Sequence, residues 1–580
     1  MNSQNLAFVY HTRRQMAARD AGSDTDSDYD FCGFETHDLR TVSDSISDVS
    51  DFSVSSVTST ASSDYSSDEN DKENEDPLAN TGSWSTTLTM FTLPNFVQQV
   101  GAAFTLPSEA NEVGFLMKFF SDEVLDDIVA ETNRYATACI SKKPDPLWQP
   151  ITTDELKAFF GLHVLLSVIP MPSYKMAWTT NKLFAHPQFG AVMTRNRFEH
   201  ILKYFHVADV SNNPPRGQPD HDRLALIRPI LDKIRQNCLQ NYYPHKETSI
   251  DEAMIAYRGR LSFKQYLPAK PTKYGVKVWV RADPKNGYVN DFDIYTSKDA
   301  TVASDEGGLG ERVVKKLCSQ LEGRNHHVYV DNFFSSPQLF SDLEVKGVYC
   351  CGTVRVNRKG LPADMKAKRL VKNQGDFVAW QKGNLTATCW KDKKQVNFLA
   401  TNADPTEIDV VSRKQKDGSE ISVACPVVCK LYGDNMFGVD RADQMRMQYP
   451  TCRKAVKWWK YVFWFLFDVC ICNAYVCMRE SAAHQLTTKS GKPKARTQLD
   501  FRMKLTDQLI AGYRGLRKRQ LSSAQLQPNH WPIKARSRGR CRRCYQNGVR
   551  HEVSLMCSEC ELHLCVDRDC FKSYHEELLE

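Results

Sequence analysis

The spacing of apolar residues predicts helices between residues 105 and 247. The run LKAFFGLHVLLSVIP follows Thr152–Glu155, which has the Ser/Thr-x-x-Glu pattern of a capping box, and it ends at Pro170. In RNRFEHILKYFHV, four large apolar residues recur at the spacing of one buried helical face: Phe198, Ile201, Leu202 and Phe205. We therefore predict a helical domain over residues 105–247.

The period of the pattern changes after Thr248. YGVKVWVRAD alternates three valines with Lys277, Trp279 and Arg281, which predicts a strand with one buried face. DFDIYT and HHVYVD predict two further strands. We expect an α/β region at 248–351, a β-rich segment at 352–430 and, within 431–447, a helix formed by GVDRADQMRMQ.

The longest apolar stretch, Tyr461–Cys477, has two interpretations. It could span a membrane, or it could be a buried helix of a folded domain. Asp468 interrupts it and Lys457 and Lys460 flank it, whereas a membrane span needs about 18 uncharged residues. We predict a core helix and no membrane partner. The first residues lack the apolar segment of a secretory signal, so we expect a protein that stays inside the cell.

Charge is distributed unevenly along the 580 residues, whose net charge is +7. Residues 21–80 contain sixteen Asp and Glu and two basic residues, a net charge of −14, and residues 1–20 carry +2, so residues 81–580 carry +19. We predict that residues 1–85 are a disordered Ser/Asp-rich tail. It could aid solubility, accept phosphate, or screen the basic body from DNA. A body of this charge favours a polyanionic partner.

Basic residues are concentrated within residues 448–540, which we assign to a helical DNA-binding part and a basic linker. From Arg479 to Arg540 there are fifteen basic and three acidic residues, a net charge of +12, including LRKRQ and KARSRGR. Such a stretch could be a nuclear address, a phosphate-binding arm or a soluble linker. We predict a nuclear protein.

Six of the 19 cysteines lie in residues 541–580, at spacings that are typical of tetrahedral zinc sites. A segment this short needs metal to fold. Seven candidate ligands follow from the pattern: Cys541, Cys544, Cys557, Cys560, Cys565, Cys570 and His575. One tetrahedral site uses four ligands and two sites use eight. With seven candidates we expect one or two Zn²⁺ ions in this module. His551 and His563 are alternative eighth ligands.

Four aspartates stand out by their positions. Asp251 and Asp331 are placed at the edges of predicted strands, and Asp440 and Asp443 are three residues apart, on one face of the predicted helix. An acidic pair at this spacing is also common on solvated helices. Carboxylates gathered from strand ends and a helix would suit Mg²⁺ or Mn²⁺. Two such ions could activate a water or a sugar hydroxyl and stabilise the leaving oxygen of a phosphodiester.

The order of four motifs resembles the piggyBac family of DNA transposases: SIDEAMIAYRGR, YLPAKPTKYGVKVWVRAD, VYVDNFFSS and GVDRADQMR. MTRNRFEHILKYFHVAD and TTDELKAFFGLHVLLSVIP are similar to that family's amino-terminal region. The resemblance implies an RNase H-like α/β catalytic core of the DDE/D type, interrupted by a β-rich insertion. It also implies a helical dimerisation and DNA-binding domain and a C-terminal zinc-binding domain. The family's catalytic aspartates fall on Asp251, Asp331, Asp440 and Asp443.

The resemblance further implies cut-and-paste transposition by a homodimer, with hairpin end intermediates, terminal inverted repeats and TTAA target sites. Basic residues that could hold phosphates near the metals are Arg258, Lys270, Lys273 and Lys277, and a second set is Arg453, Lys454 and Lys457. Trp458 is the predicted base-stacking residue, although Trp459 stands where the family usually has proline.

Two alternatives remain open at this point. One is a domesticated DNA- or chromatin-binding protein that kept the fold and lost transposition. The other is a structural zinc protein without a nucleic-acid role, which conflicts with the +19 body.

Overall fold

The computed structural model of the chain describes residues 83–577, except 182, 269, 297–306, 368–369, 416, 489–490 and 514–529. The predicted acidic tail, apart from its last three positions, lies outside the described residues, as does LRKRQ of the basic linker.

The first described part is helical, as the apolar spacing predicts. A two-residue strand, β1 (Gly101–Ala102), precedes six helices: α1 (Glu112–Leu116), α2 (Asp122–Ile140), α3 (Thr153–Val168), α4 (Pro187–Val192), α5 (Arg195–Tyr204) and α6 (Arg228–Gln240). At the start of α3 the Thr152 hydroxyl accepts from the Glu155 N–H at 3.2 Å. The Glu155 carboxylate accepts from Arg197 of α5, at 2.8 and 2.5 Å, which joins the two helices.

The next elements form the α/β core. They follow β2 (Tyr242–Tyr243), which pairs with β1, and are β3 (Glu247–Ala256), β4 (Gln265–Tyr266), β5 (Tyr274–Ala282), β6 (Val289–Ile294), α7 (Leu309–Cys318), β7 (His326–Val330), α8 (Pro337–Val345) and β8 (Val348–Thr353). Strands β6, β5 and β3 pair antiparallel, and β7 and β8 continue the sheet in parallel with β3. Three antiparallel strands followed by two parallel ones is the RNase H-like order, so the expected core is confirmed.

The β-rich insertion is less separate from the core than the sequence implies. Its strands are β9 (Phe377–Lys382), β10 (Leu385–Lys391), β11 (Gln395–Ala400), β12 (Ile408–Lys414) and β13 (Glu420–Pro426). Because β11 pairs with β8, the strands β9 to β11 extend the core sheet to nine strands. Strands β12 and β13 form a hairpin of their own.

Strand β5 departs from its prediction, because both of its faces are buried. The valines of β5 pack against the helical domain, whereas Trp279 lies in a second core with α7 and α8. Lys277 and Arg281 are therefore only 9% and 2% exposed. The alternation of polar and apolar residues predicted one solvated face. The helices that cover this face come from other parts of the chain, so the local pattern does not reveal its burial.

The last core elements follow the insertion: α9 (Val427–Asn435), α10 (Gly438–Gln448), α11 (Trp458–Glu480), β14 (Leu486–Thr487), β15 (Pro493–Lys494) and α12 (Gln498–Ile510). Helix α11 contains the long apolar stretch and could cross a membrane by length and composition alone. However, 94% of its apolar window is buried inside the protein, as expected for a core helix. Its Asp468 accepts from the Thr451 N–H and lies 3.8 Å from the Arg502 guanidinium.

The C-terminal module is a small unit with a cysteine-rich core. Its elements are β16 (Pro532–Arg540), α13 (Arg542–Gln546), β17 (Glu552–Cys557) and α14 (Cys570–Glu577). Strands β16 and β17 pair antiparallel with an irregularity between Lys534 and Gly539. The ordered hairpin thus begins upstream of Cys541.

Candidate active site and zinc-binding module

Asp251 lies beside Asp331 where the parallel pairing of β3 with β7 ends. Asp331 directly follows β7, but Asp251 is in the middle of β3 and not at the predicted strand edge. Ile250 of β3 pairs with Val330 of β7, so the residue that follows each lies at the same edge of the sheet. The Asp331 carboxylate accepts from the Phe333 N–H at 2.8 Å, which fixes the side chain at the start of the turn.

Helix α10 brings the second pair of aspartates against β3. The helix packs closely because Gly438 has no side chain: a Cβ there would lie 2.3 Å from the Ser249 hydroxyl. Asp440 is exposed near the carboxylates of β3, whereas Asp443 accepts from the Arg446 guanidinium at 3.0 Å. Asp443 therefore lies at the margin of the cluster, with a cation of its own.

Electrostatics shows that three of the aspartates share one environment. Burial raises the pKa of Asp251 well above its ordinary value; the Glu252 charge adds to this and the Lys270 charge opposes it. Burial and then Glu252 also raise the pKa of Asp331. Partial desolvation by neighbouring residues raises the pKa of Asp440, although its side chain keeps exposed surface, and the Lys270 charge again opposes the shift. Crowded carboxylates of this kind are stabilised in their ionised form by a nearby cation.

A divalent metal ion fits this cluster. The donors are hard carboxylate oxygens, which suit Mg²⁺ or Mn²⁺, and the Lys270 ammonium already lies 3.6 Å from the Asp251 carboxylate as a stand-in cation. The cluster is looser than a closed metal cage. Within the described ranges, the only groups of three or more ligand atoms all within 4.8 Å of one another are in the C-terminal module.

Glu252 is a residue of this site that the sequence analysis missed. Its carboxylate lies 3.4 Å from Lys270 and 3.9 Å from Lys277. Alternation along β3 assigns consecutive residues to opposite faces, so nothing in the pattern joined Glu252 to Asp251. Its direct adjacency to Asp251 in the sequence was the available signal.

The predicted DNA-contact residues divide into outward and inward groups. Arg258, Lys273, Lys454 and Lys457 are exposed. Lys270 belongs to the carboxylate cluster, and Lys277 is buried with its ammonium 3.7 Å from the Trp279 ring centroid. Arg453 is half-buried and donates to the carbonyls of Pro450 and Cys452 at 2.9 Å, an arrangement that supports the local backbone.

Of the two adjacent tryptophans, only Trp458 keeps exposed surface. Trp459 is 1% exposed and packs in the core. Trp458 is half-buried and contacts the Phe263 ring edge-on, at a centroid distance of 5.3 Å. The Tyr257 hydroxyl donates to the Val456 carbonyl at 3.2 Å, so the end of β3 and the start of α11 share one surface. The stacking role of Trp458 stays a prediction.

The C-terminal ligands form two interleaved groups. Cys541, Cys544, Cys565 and Cys570 form the first, in which the Cys544 sulfur lies 3.6 Å from that of Cys565 and 3.5 Å from that of Cys570, and the sulfurs of Cys541 and Cys565 are 3.5 Å apart. Zn–S bonds of about 2.3 Å in a tetrahedron place sulfurs about 3.8 Å apart, so the group fits Zn²⁺. Cys557, Cys560 and His575 belong to the second group.

His530 completes the second group, in place of the expected His551 or His563. Its Nδ1 lies 3.3 Å from the sulfurs of both Cys557 and Cys560. His563 instead contacts the Ser537 carbonyl through Nε2, at 3.1 Å. His530 precedes Cys541 and therefore lies outside residues 541–580, whose cysteine spacing gave the predicted ligands. The missing eighth ligand was the signal that pointed beyond that segment.

Strand β16 presents a row of basic side chains on the same module. Lys534, Arg536, Arg538 and Arg540 are all exposed and alternate along the strand. The irregular pairing after Lys534 makes the strand bulge, and the bulge packs on His563, whose ring leaves no room for a side chain at Gly539. This row is a candidate phosphate-binding surface.

The strand order and the carboxylate cluster define the class of transposases with an RNase H-like core. The sequence model of the family described as Transposase IS4 matches residues 111–475. Human PiggyBac transposable element-derived protein 3 is 29% identical over 491 residues, which cover 82% of this chain and 77% of that protein. Human PiggyBac transposable element-derived protein 5 is 26% identical over 429 residues, covering 72% and 79%.

A solved structure is similar in fold. The piggyBac transposase in a cryo-EM synaptic complex with hairpin DNA matches with a TM-score of 0.61 and 24% identity, covering 81% of this chain and 98% of that one. The chain therefore belongs to the Transposase IS4 family, in its piggyBac-type branch. Membership implies DNA as a partner and the use of divalent metal ions.

Proposed function

We propose that this protein is an active DNA transposase that cuts and joins phosphodiesters with Mg²⁺ or Mn²⁺. The observation that carries the proposal is the pairing of Ile250 with Val330, which brings Asp251 and Asp331 together, while Asp440 of α10 feels the charge of the same Lys270. A DNA-binding protein without catalysis would need no half-buried, mutually repelling carboxylates at this edge.

The chain's residues would divide the chemistry as follows. Asp251, Asp331 and Asp440 would hold the metal, with Asp443 at the margin beside Arg446. Bound metal activates a water or a 3′-hydroxyl and stabilises the leaving oxygen. The exposed Arg258, Lys273, Lys454 and Lys457 would bind phosphates and orient the strand, and Trp458 would stack on an unpaired base.

The element ends and the target extend the proposal. We infer hairpin end intermediates because the similar solved structure holds hairpin DNA, and TTAA targets by resemblance to the family. The zinc module and its β16 row would bind the terminal inverted repeats. A nuclear homodimer is proposed on the same resemblance and on the basic linker.

The test is cleavage of a duplex that ends in the element's own repeats, with Mg²⁺, analysed on denaturing gels for nicks and hairpins. Asp331→Asn should abolish cleavage and leave end binding nearly unchanged, because the substitution removes a charge without changing shape. Asp342→Asn is the matched control and should cut normally, because Asp342 lies on α8 and its carboxylate pairs with Lys315 of α7. Robust cleavage by Asp331→Asn would refute the assignment.

The alternative is a domesticated protein that binds DNA without moving it. The names of the human relatives, which are transposable element-derived proteins, favour it. Specific binding to a DNA site with no cleavage under any divalent metal would support this alternative over the transposase.

A further inference from the structure

The ammonium of Lys270 lies between two acidic side chains of the catalytic cluster. It is 3.6 Å from the Asp251 carboxylate and 3.4 Å from the Glu252 carboxylate. It also donates to the Glu252 carbonyl at 3.4 Å. The Lys270 side chain is 29% exposed, so its charge lies in a partly desolvated site where pairing matters.

Glu252 is held between two cations. Its second carboxylate oxygen lies 3.9 Å from the ammonium of Lys277. Lys277 is fixed by its burial and by its contact with the Trp279 ring. Glu252 thus offers the Lys270 ammonium two acceptors, its carboxylate and its backbone carbonyl. The Asp251 carboxylate lies slightly farther from the same ammonium.

The charges of the cluster leave room for one divalent cation. The acidic side chains are Asp251, Glu252, Asp331 and Asp440, and the cations that form ion pairs with them among the described residues are Lys270 and Lys277. Asp443, whose charge also acts on Asp440, is balanced by Arg446 at 3.0 Å. Two negative charges remain, the charge that one Mg²⁺ or Mn²⁺ neutralises.

We propose that Glu252 is a positioning residue that controls metal binding through Lys270. Before the metal binds, Lys270 is the counter-cation of Asp251. When the metal binds Asp251, the ammonium moves fully to Glu252, which keeps it away from the metal. This inference rests on the proposed function, because it assumes that the aspartates bind a divalent cation.

The test measures Mn²⁺ binding to the full-length, DNA-free protein from the electron paramagnetic resonance signal of free Mn²⁺. Binding to the Asp331→Asn variant is subtracted, so that only the cluster is counted. Lys270→Gln should tighten binding at least about tenfold, since it removes a positive charge within a few ångströms of the metal. Glu252→Gln should weaken it about tenfold, because Lys270 then pairs with Asp251 alone.

A double variant separates positioning from direct ligation. If Glu252 acts through Lys270, the Glu252→Gln effect should fall below about threefold in the Lys270→Gln background. An undiminished effect would mean that Glu252 acts on the metal directly, as a ligand or through its own charge, and would overturn the proposal. Lys264→Gln is the control. Lys264 also lies between β3 and β5, but its ammonium donates to the Gly259 carbonyl, so this variant should bind Mn²⁺ like the wild type.

Two further outcomes keep the test decisive. Lys270→Arg retains the charge and should not tighten binding. Glu252→Gln covers the case in which Lys270→Gln fails to fold, because unchanged Mn²⁺ binding by that variant would overturn the proposal. If Lys270→Gln folds and binds Mn²⁺ no tighter than the wild type, the proposal is wrong. If wild type and Asp331→Asn bind Mn²⁺ equally, the proposed metal site fails instead.

Discussion

His530→Ala removes the ligand that distinguishes the observed second zinc group from the one expected from sequence. The imidazole Nδ1 lies 3.3 Å from two cysteine sulfurs, and no cysteine or histidine outside the four ligands joins that group among the described residues. A water molecule would have to replace the nitrogen. The second site should therefore weaken selectively, while the four-cysteine site keeps its ligands.

The size of the effect follows from the number of ligands. Structural zinc sites bind with about 10–16 kcal/mol, so one of four ligands contributes roughly 3 kcal/mol. At 1.4 kcal/mol for each factor of ten, zinc affinity should fall about a hundredfold. Dialysis against a chelator of intermediate affinity should then leave two zinc ions per chain in the wild type and one in the variant.

The assay is zinc quantification by mass spectrometry after that dialysis. His551→Ala and His563→Ala are the matched controls and should retain both ions. Two ions in His530→Ala together with one ion in His563→Ala would show that the eighth ligand was assigned wrongly. Loss of both ions in His530→Ala would show that the two sites do not bind independently.

Three other predictions concern stacking, phosphate contact and pH. Trp458→Ala should weaken binding to a hairpin with an unpaired base by about 1–3 kcal/mol and leave the melting temperature nearly unchanged, whereas Trp459→Ala, which empties a core position, should lower the melting temperature strongly. Arg536→Ala should reduce the slope of log affinity against log salt by about 0.9 in titrations with repeat DNA, as expected for one lost phosphate contact. Burial lowers the pKa of His163 to about 3, so the stability that depends on its neutral form is complete above pH 6.5 and is lost as pH falls from 6.5 towards 3. At pH 5 this loss is about 2 kcal/mol. His163→Phe should remove that part of the pH dependence of the unfolding free energy, measured by urea unfolding. An unchanged dependence of this free energy on pH would contradict the prediction.

Local patterns predicted the elements of the site that depend on neighbouring residues. Asp331 directly follows an apolar strand, and Asp440 and Asp443 share a helical period, so their placement follows from spacing alone. Cysteine pairs at a two-residue gap likewise predict zinc ligands. The family motifs then supplied the order in which these pieces combine.

Other features depend on contacts between distant segments, which no local pattern contains. The pairing of β8 with β11 joins the insertion to the core sheet, and strand pairing across tens of residues leaves no period in the sequence. The burial of Lys277 and Arg281 depends on helices α7 and α8 covering that face. His530 approaches Cys557 only because β16 pairs with β17.

The structure also separates basic residues whose charges contact groups inside the protein from basic residues that are exposed. Lys270, Lys277 and Arg453 face carboxylates, an aromatic ring or backbone carbonyls inside the protein. Because these cations do not neutralise phosphates in the present arrangement, they release no counterions when DNA binds. The four basic residues of β16 are all exposed. Arg258, Lys273, Lys454 and Lys457 are exposed as well. The salt dependence of DNA binding should therefore reflect these four residues and the β16 row, and not the three inward-facing cations.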